Sequence, residues 1–122
     1  MIIEDIHIES IQKTVRFLVG KSSSDNHRII DVSDPNDLWF HSRDFSSCHI
    51  IAEIPPNVDT TDIIKIGSEL CIKNTNKLKN VNRVYINYDN IRNISKTKVI
   101  GEVKTNINTI KTYKYQTSSE SF

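Results

Sequence analysis

The sequence predicts a single α+β domain: a largely antiparallel sheet of about six or seven strands with one main helix packed on one face, and a short second helix. Three observations point there. Short stretches with alternating apolar residues recur along the chain, as half-buried strands require. Residues 59–74 carry apolar side chains at the spacing of one buried helical stripe. Turn-forming clusters such as "DVSDPND" and "PPNVDTTD" separate these stretches. A chain of 122 residues has room for one core. The domain is expected over 1–115, with 116–122, "QTSSESF", a frayed tail that has nothing to pack.

The elements follow in order. "IIEDIHI" reads as a strand through Ile2, Ile6 and Ile8, and "TVRFLVG" as its partner, with Val15, Phe17 and Val19 inward and Gly20 ending it. The Ser and Asp residues of "KSSSDNHRII" are helix caps, so a short helix or ordered loop is expected. "DLWFHSR" and "CHIIAEI" are two strands around the turn "DFSS". The prolines of "PPNVDTTD" break the sheet because they donate no ladder bond. Asp59 or Thr60 then caps a helix to about Asn74, with Ile63, Ile64, Ile66, Leu70 and Cys71 on its apolar stripe. "VNRVYINYD" is a strand with Val84, Ile86 and Tyr88 on one side, and "KVIGEVKT" with "TIKTYKY" is read as a closing hairpin.

The net charge of +1 conceals a division along the chain. Residues 1–72 carry −6 and residues 73–114 carry +8. An acidic face, a basic face and an anionic partner are expected, although a Lys-rich solvated surface would have the same composition. Ile, Asn and Lys are frequent and Ala and Gly scarce, which fits an AT-rich genome such as that of a giant virus or a protist. No apolar run approaches the roughly 20 residues needed to span a membrane. The interrupted, acidic start "MIIEDIHIES" is unlike a signal peptide. Cys48 and Cys71 fit no metal spacing or disulfide framework, so a cytoplasmic chain with reduced thiols is expected.

Chemistry concentrates in "DPNDLWFHSRDFSSCHII". Strand alternation puts Asp37, Trp39, His41 and Arg43 on one face and Leu38 and Phe40 on the other. In the next strand Cys48, Ile50, Ala52 and Ile54 are apolar, while His49, Ile51 and Glu53 point the opposite way. Matching the faces gives one apolar side, expected against the main helix, and one polar side. On that polar side an open Trp39 would stack on a base, worth about 1–3 kcal/mol per base. Arg43 would grip a phosphate with its fork. The alternative is that a loop or hairpin covers this side and leaves Asp37, His41 and His49 as a satisfied buried network.

The segment "DLWFHSRDFSSCHII" closely resembles the signature of the NFACT-R domain, the RNA-binding domain of ribosome quality-control factors. Asp37, Leu38, Trp39, Phe40, His41, Ser47, His49 and Ile50 match position by position. Upstream, Val19, Gly20, Lys21, Asn26 and Ile29 match the family's Val-Gly-Arg/Lys, Asn and aliphatic pattern, and downstream Gly101 stands at the usual Gly. The resemblance covers about residues 14–115. Two features depart from it: the helix reads Gly67-Ser68, and "KTKVIG" stands where Pro-Gly is common. The catalytic-like domain, helix-hairpin-helix elements and coiled coil of the large members have no counterpart in these residues, so a solo domain is expected.

The resemblance implies a non-catalytic module that binds tRNA or ribosomal RNA in ribosome quality control, translation or tRNA processing, with no cofactor. The expected surface joins Trp39, His41, Arg43 and His49 to Lys21, Lys73, Lys77, Lys79, Arg83, Lys96 and Lys98, with Tyr85 and Tyr88 as further stacking partners. Asp37, Phe40, Ser47, Gly20 and Asn26 are expected to be structural. Two other function classes stay open: a protein- or DNA-interaction module with a structural signature, and a small metal-dependent hydrolase or nuclease using the histidines and Asp37. Against the latter, the histidine spacing fits no metal pattern. "GKS" at 20–22 is no phosphate loop, because Val15 stands where the first Gly is required.

Overall fold

The computed structural model describes residues 1–116; of the expected frayed tail, Gln116 instead ends a strand and 117–122 lie outside the described residues. Ten regular elements order the chain: β1 (Ile2–Ile8), β2 (Lys13–Gly20), α1 (Ser23–Asp31), β3 (Leu38–Ser42), β4 (His49–Ala52), α2 (Thr61–Lys73), β5 (Arg83–Asn90), β6 (Ser95–Lys96), β7 (Val103–Lys104) and β8 (Lys111–Gln116). Six strands form one sheet in the order β1-β2-β4-β3-β5-β8, antiparallel throughout. This is the expected α+β domain.

Alternation along each strand divides the core in two. Phe17, Val19, Phe40, Ile50, Ala52, Val84 and Ile86 face α2, whose Ile63, Leu70 and Cys71 are buried against them. Ile64 and Ile66 of the expected stripe are half-buried at its margin. Gly67 is required at the centre of that contact: a Cβ there would lie 2.5 Å from the Phe40 ring. Asp59 supports the start of α2 by accepting from the Thr61 amide at 2.9 Å, whereas the Thr60 side chain makes no cap bond.

The opposite side of the sheet is covered by α1. Its Ile29 and Ile30 pack on Leu18, Trp39 and Ile51, joined by Ile91 and Ile94 from the turn after β5. The Ser22 hydroxyl caps α1 by accepting from the Asp25 amide at 3.2 Å. Gly20 allows α1 to lie this close, because a Cβ there would meet Asn26 Oδ1 at 2.6 Å. Together the layers run α2, sheet, α1.

The closing hairpin is built differently from the expectation. β8 pairs with β5 at the edge of the main sheet. Val103–Lys104 instead pairs with Ser95–Lys96 in a separate two-stranded ribbon. Tertiary packing decided this: Val84 and Ile86 anchor β5 centrally and its free edge accepts β8, while the ribbon's Val103 packs beside the α1 cluster. Among the described residues, no helix is long and apolar enough to cross a membrane.

Candidate nucleic-acid interface

Trp39 is the second residue of β3, opposite Ile51 of β4 and Asp89 of β5. It is 2% exposed. The expectation of an open stacking platform is therefore corrected: α1 folds over this side and takes the indole into a second core. Its polar edge is satisfied there, because the indole N–H donates to His49 Nδ1 at 3.0 Å.

That bond fixes His49 as the tautomer with hydrogen on Nε2. His41 and His49 are neighbours across β3 and β4, with ring centroids 4.8 Å apart at 69°. His41 stacks parallel to Trp39 at 5.8 Å, and its Nδ1–H donates to the Ser42 carbonyl at 2.7 Å. Burial pushes His41 below the ordinary histidine value, against the opposing pull of that carbonyl. Burial also pushes His49 down to about 3, with the nearby His41 and His27 adding to the shift. Both rings are thus neutral near pH 7.

Asp37 does not reach either imidazole. Its carboxylate accepts from the Asp34 amide at 2.9 Å and from the Ile54 amide at 3.0 Å. It closes the turn before β3 and pins the exit of β4. The alternative that joins Asp37, His41 and His49 in one buried network is corrected for a geometric reason: Asp37 lies in the turn before β3, whereas His41 is near the far end of that strand. Phe40 is fully buried against α2, as expected. Ser47 accepts from the Ser42 amide at 3.0 Å and donates to the Cys48 carbonyl at 2.9 Å, which locks the 43–47 turn. Asn26 keeps Oδ1 buried beside Gly20 without a partner among the described residues.

Arg43 is exposed, and its fork is spent on Asp44 at 2.9 and 3.0 Å while the guanidinium lies 4.1 Å over the Tyr85 ring. An exposed ion pair of this kind contributes about 0–1 kcal/mol, so a phosphate can compete for the fork. A cleft of about 420 Å³ opens beside it, lined among others by His41, Arg43, Phe45, His49, Asn87 and Glu102. Phe45 and Asn87 were not singled out in the sequence, although the signal for Asn87 was present. Alternation in "VYINYD" puts it opposite the apolar Val84 and Ile86, and it faces His41 across the sheet. Phe45, 43% exposed at the cleft, was hidden inside a stretch read as a turn. Asp89 was also missed. It is buried and accepts from the Asn90 amide at 2.7 Å and from Asn93 Nδ2 at 3.0 Å.

Topology gathers most of the expected cations at one end of the sheet. β2 and β3 finish there while β4 and β5 begin, as the pairs Gly20 with His49 and Ser42 with Ile86 show. Lys21 follows β2, and Arg83 starts β5. The Cys48 amide donates to Thr75 Oγ1 at 3.1 Å, bringing the end of α2 to the same place with Lys73, Lys77 and Lys79. Lys21, Lys73, Lys77, Lys79 and Arg83 are all exposed and make no ion pair among the described residues. The other end holds Asp34, Asp37 and Glu53 around the exits of β4. Two expected members stand apart from this end group: Lys96, on the ribbon, pairs with Asp31 of α1, and Lys98 is exposed in the ribbon's turn.

Among the described residues, no group of three or more His, Cys, Asp or Glu side chains is placed to hold a metal ion. Cys48 and Cys71 are buried, and each thiol contacts the other residue's carbonyl at 3.5 Å.

No family model matches the chain. It is 31% identical over 81 residues to coiled-coil domain-containing protein 25 from Danio rerio, a match covering 61% of this chain and 39% of that protein. The solved C-terminal part of the fibronectin/fibrinogen-binding protein from Streptococcus suis matches 87% of this chain with a TM-score of 0.70 at 23% identity, and 43% of that chain is covered. The structural likeness shows a shared fold. The chain spans less than half the length of either of these proteins.

Proposed function

We propose that this chain is a non-catalytic RNA-binding module of the NFACT-R type, acting on tRNA or ribosomal RNA in the cytoplasm. One observation carries the reading: Lys21, Lys73, Lys77, Lys79 and Arg83, five exposed cations that make no ion pair among the described residues, lie toward the same end of the sheet as the cleft-lining Ser42 and His49. Such a cluster attracts a phosphate backbone and releases its counterions on binding. The sequence signature from Asp37 to Ile50 supports the same reading.

A non-catalytic role is supported by the hydrogen bonding of the polar residues. Asp37 is committed to two backbone amides, and the His49 Nδ1 to an indole. Among the described residues, neither histidine is hydrogen-bonded to a carboxylate that would orient it as a base. A protein partner is the second reading. It draws on the solved neighbour, which is described as binding fibronectin and fibrinogen.

Fluorescence anisotropy with labelled tRNA across a salt series tests the proposal. Binding should weaken with salt, with a log–log slope of about 0.7–0.9 per phosphate contact. No binding at low salt, or binding indifferent to salt, rejects it.

A further inference from the structure

Three side chains on neighbouring strands form a row across the cleft. Asn87 on β5 is paired with His41 on β3, and His41 contacts His49 on β4. All three line the cleft. Their hydrogen-bonding roles are fixed from outside the row. Thr112 Oγ1 donates to Asn87 Oδ1 at 2.8 Å, which leaves the Asn87 amide N–H groups as donors. His41 spends its Nδ1–H on the Ser42 carbonyl, which leaves Nε2 as an acceptor. His49 accepts the indole hydrogen at Nδ1, which leaves Nε2–H as a donor. The three remaining atoms have no partner among the described residues, and none is sealed from solvent. The cleft therefore presents donor, acceptor, donor in spatial order.

We propose that this row reads the imide edge of a uracil-type base, an inference that rests on the RNA-binding reading above. Uracil offers carbonyl, N–H, carbonyl along that edge, the complement of the row. Cytosine offers an amino group, a bare ring nitrogen and a carbonyl, so an amino group meets a donor and a lone pair meets the His41 acceptor. Adenine fails at the same two positions. Guanine matches two positions and sets an amino group against a donor at the third. Mismatches of this kind are costly because buried polar groups lose their partners. Phe45 at the rim supplies an aromatic surface for the entering base. The carboxylates lining the cleft are occupied: Asp44 holds Arg43, and Glu102 accepts from Thr97 Oγ1 at 2.7 Å.

The test uses the full chain and labelled hexanucleotides of uridine, cytidine, N3-methyluridine and deoxythymidine. Uridine should bind at least about tenfold more tightly than cytidine or N3-methyluridine, a ratio within the range of one well-formed base-edge contact. Asn87→Asp, which keeps the Thr112 contact but removes the donor, should reduce the ratio to below about threefold. Deoxythymidine shares the edge, so binding equal to that of uridine assigns recognition to the edge alone. If all hexamers bind equally and with the same salt slope, the edge reading is overturned while RNA binding stands. A preference that survives Asn87→Asp also overturns it. If neither hexamers nor tRNA bind, the function proposed above fails as well. The N3-methyl comparison uses the unaltered chain, so it decides even if the variant does not fold.

Discussion

The indole N–H of Trp39 donates to Nδ1 of His49 at 3.0 Å, deep under helix α1. The bond joins the second core to the cleft, since the residue that fills the core also sets the tautomer of His49, which lines the cleft. Removing either partner should therefore alter both stability and recognition.

Trp39→Ala should cost about 3–5 kcal/mol of stability, the range for truncating a large buried aromatic. Trp39→Phe keeps most of the volume but strands the His49 nitrogen, at about 1–3 kcal/mol. Urea unfolding followed by circular dichroism measures both. A Trp39→Ala variant as stable as the wild type would place the indole outside the core.

Stability should fall as acid is added, beginning near the unfolded histidine pKa of about 6.5. The folded pKa values of His49 and His41 are both lowered, His49 to about 3. The unfolded chain therefore takes up these protons first, and stability fully present above pH 6.5 is lost as pH falls toward 3. The slope is about 1.4 kcal/mol per pH unit for each such group. Urea midpoints at pH 7.5, 6, 5 and 4 should show the loss, and His49→Gln should flatten it. An unchanged slope in that variant would mean that His49 is not the group responsible.

Gly67→Ala should destabilise the protein, although Ala is favoured over Gly by about 1 kcal/mol inside an ordinary helix. The new methyl group would overlap the Phe40 ring at 2.5 Å, and overpacking of this sort costs about 1–3 kcal/mol. A rise in melting temperature would show that the two elements can separate freely.

Charge removal should sort the cations by position. Lys77→Ala and Arg83→Ala should each lower the salt slope of tRNA binding by about 1. Lys96→Ala should leave it unchanged, because Lys96 stands on the ribbon, apart from the end group. Equal effects from all three would indicate a diffuse positive field in place of a defined end.

Periodicity alone determined much of this protein. Alternation identified β2, β3, β4 and β5, and the spacing of Ile63, Leu70 and Cys71 placed α2 on the side carrying Phe40. These features were legible because local pattern and burial agree there. Asp37 and Trp39 were legible as a motif but not in their roles, since alternation assigns a face without saying what covers it. Tertiary structure decided that α1 covers the side carrying Trp39. It also decided that β8 joins β5, and that Lys21, Lys73 and Arg83, far apart in sequence, meet at one end. The physical reason is that each depends on contacts between distant segments. Closing those contacts depends on the packing of the whole core, and no residue spacing within a single element encodes it.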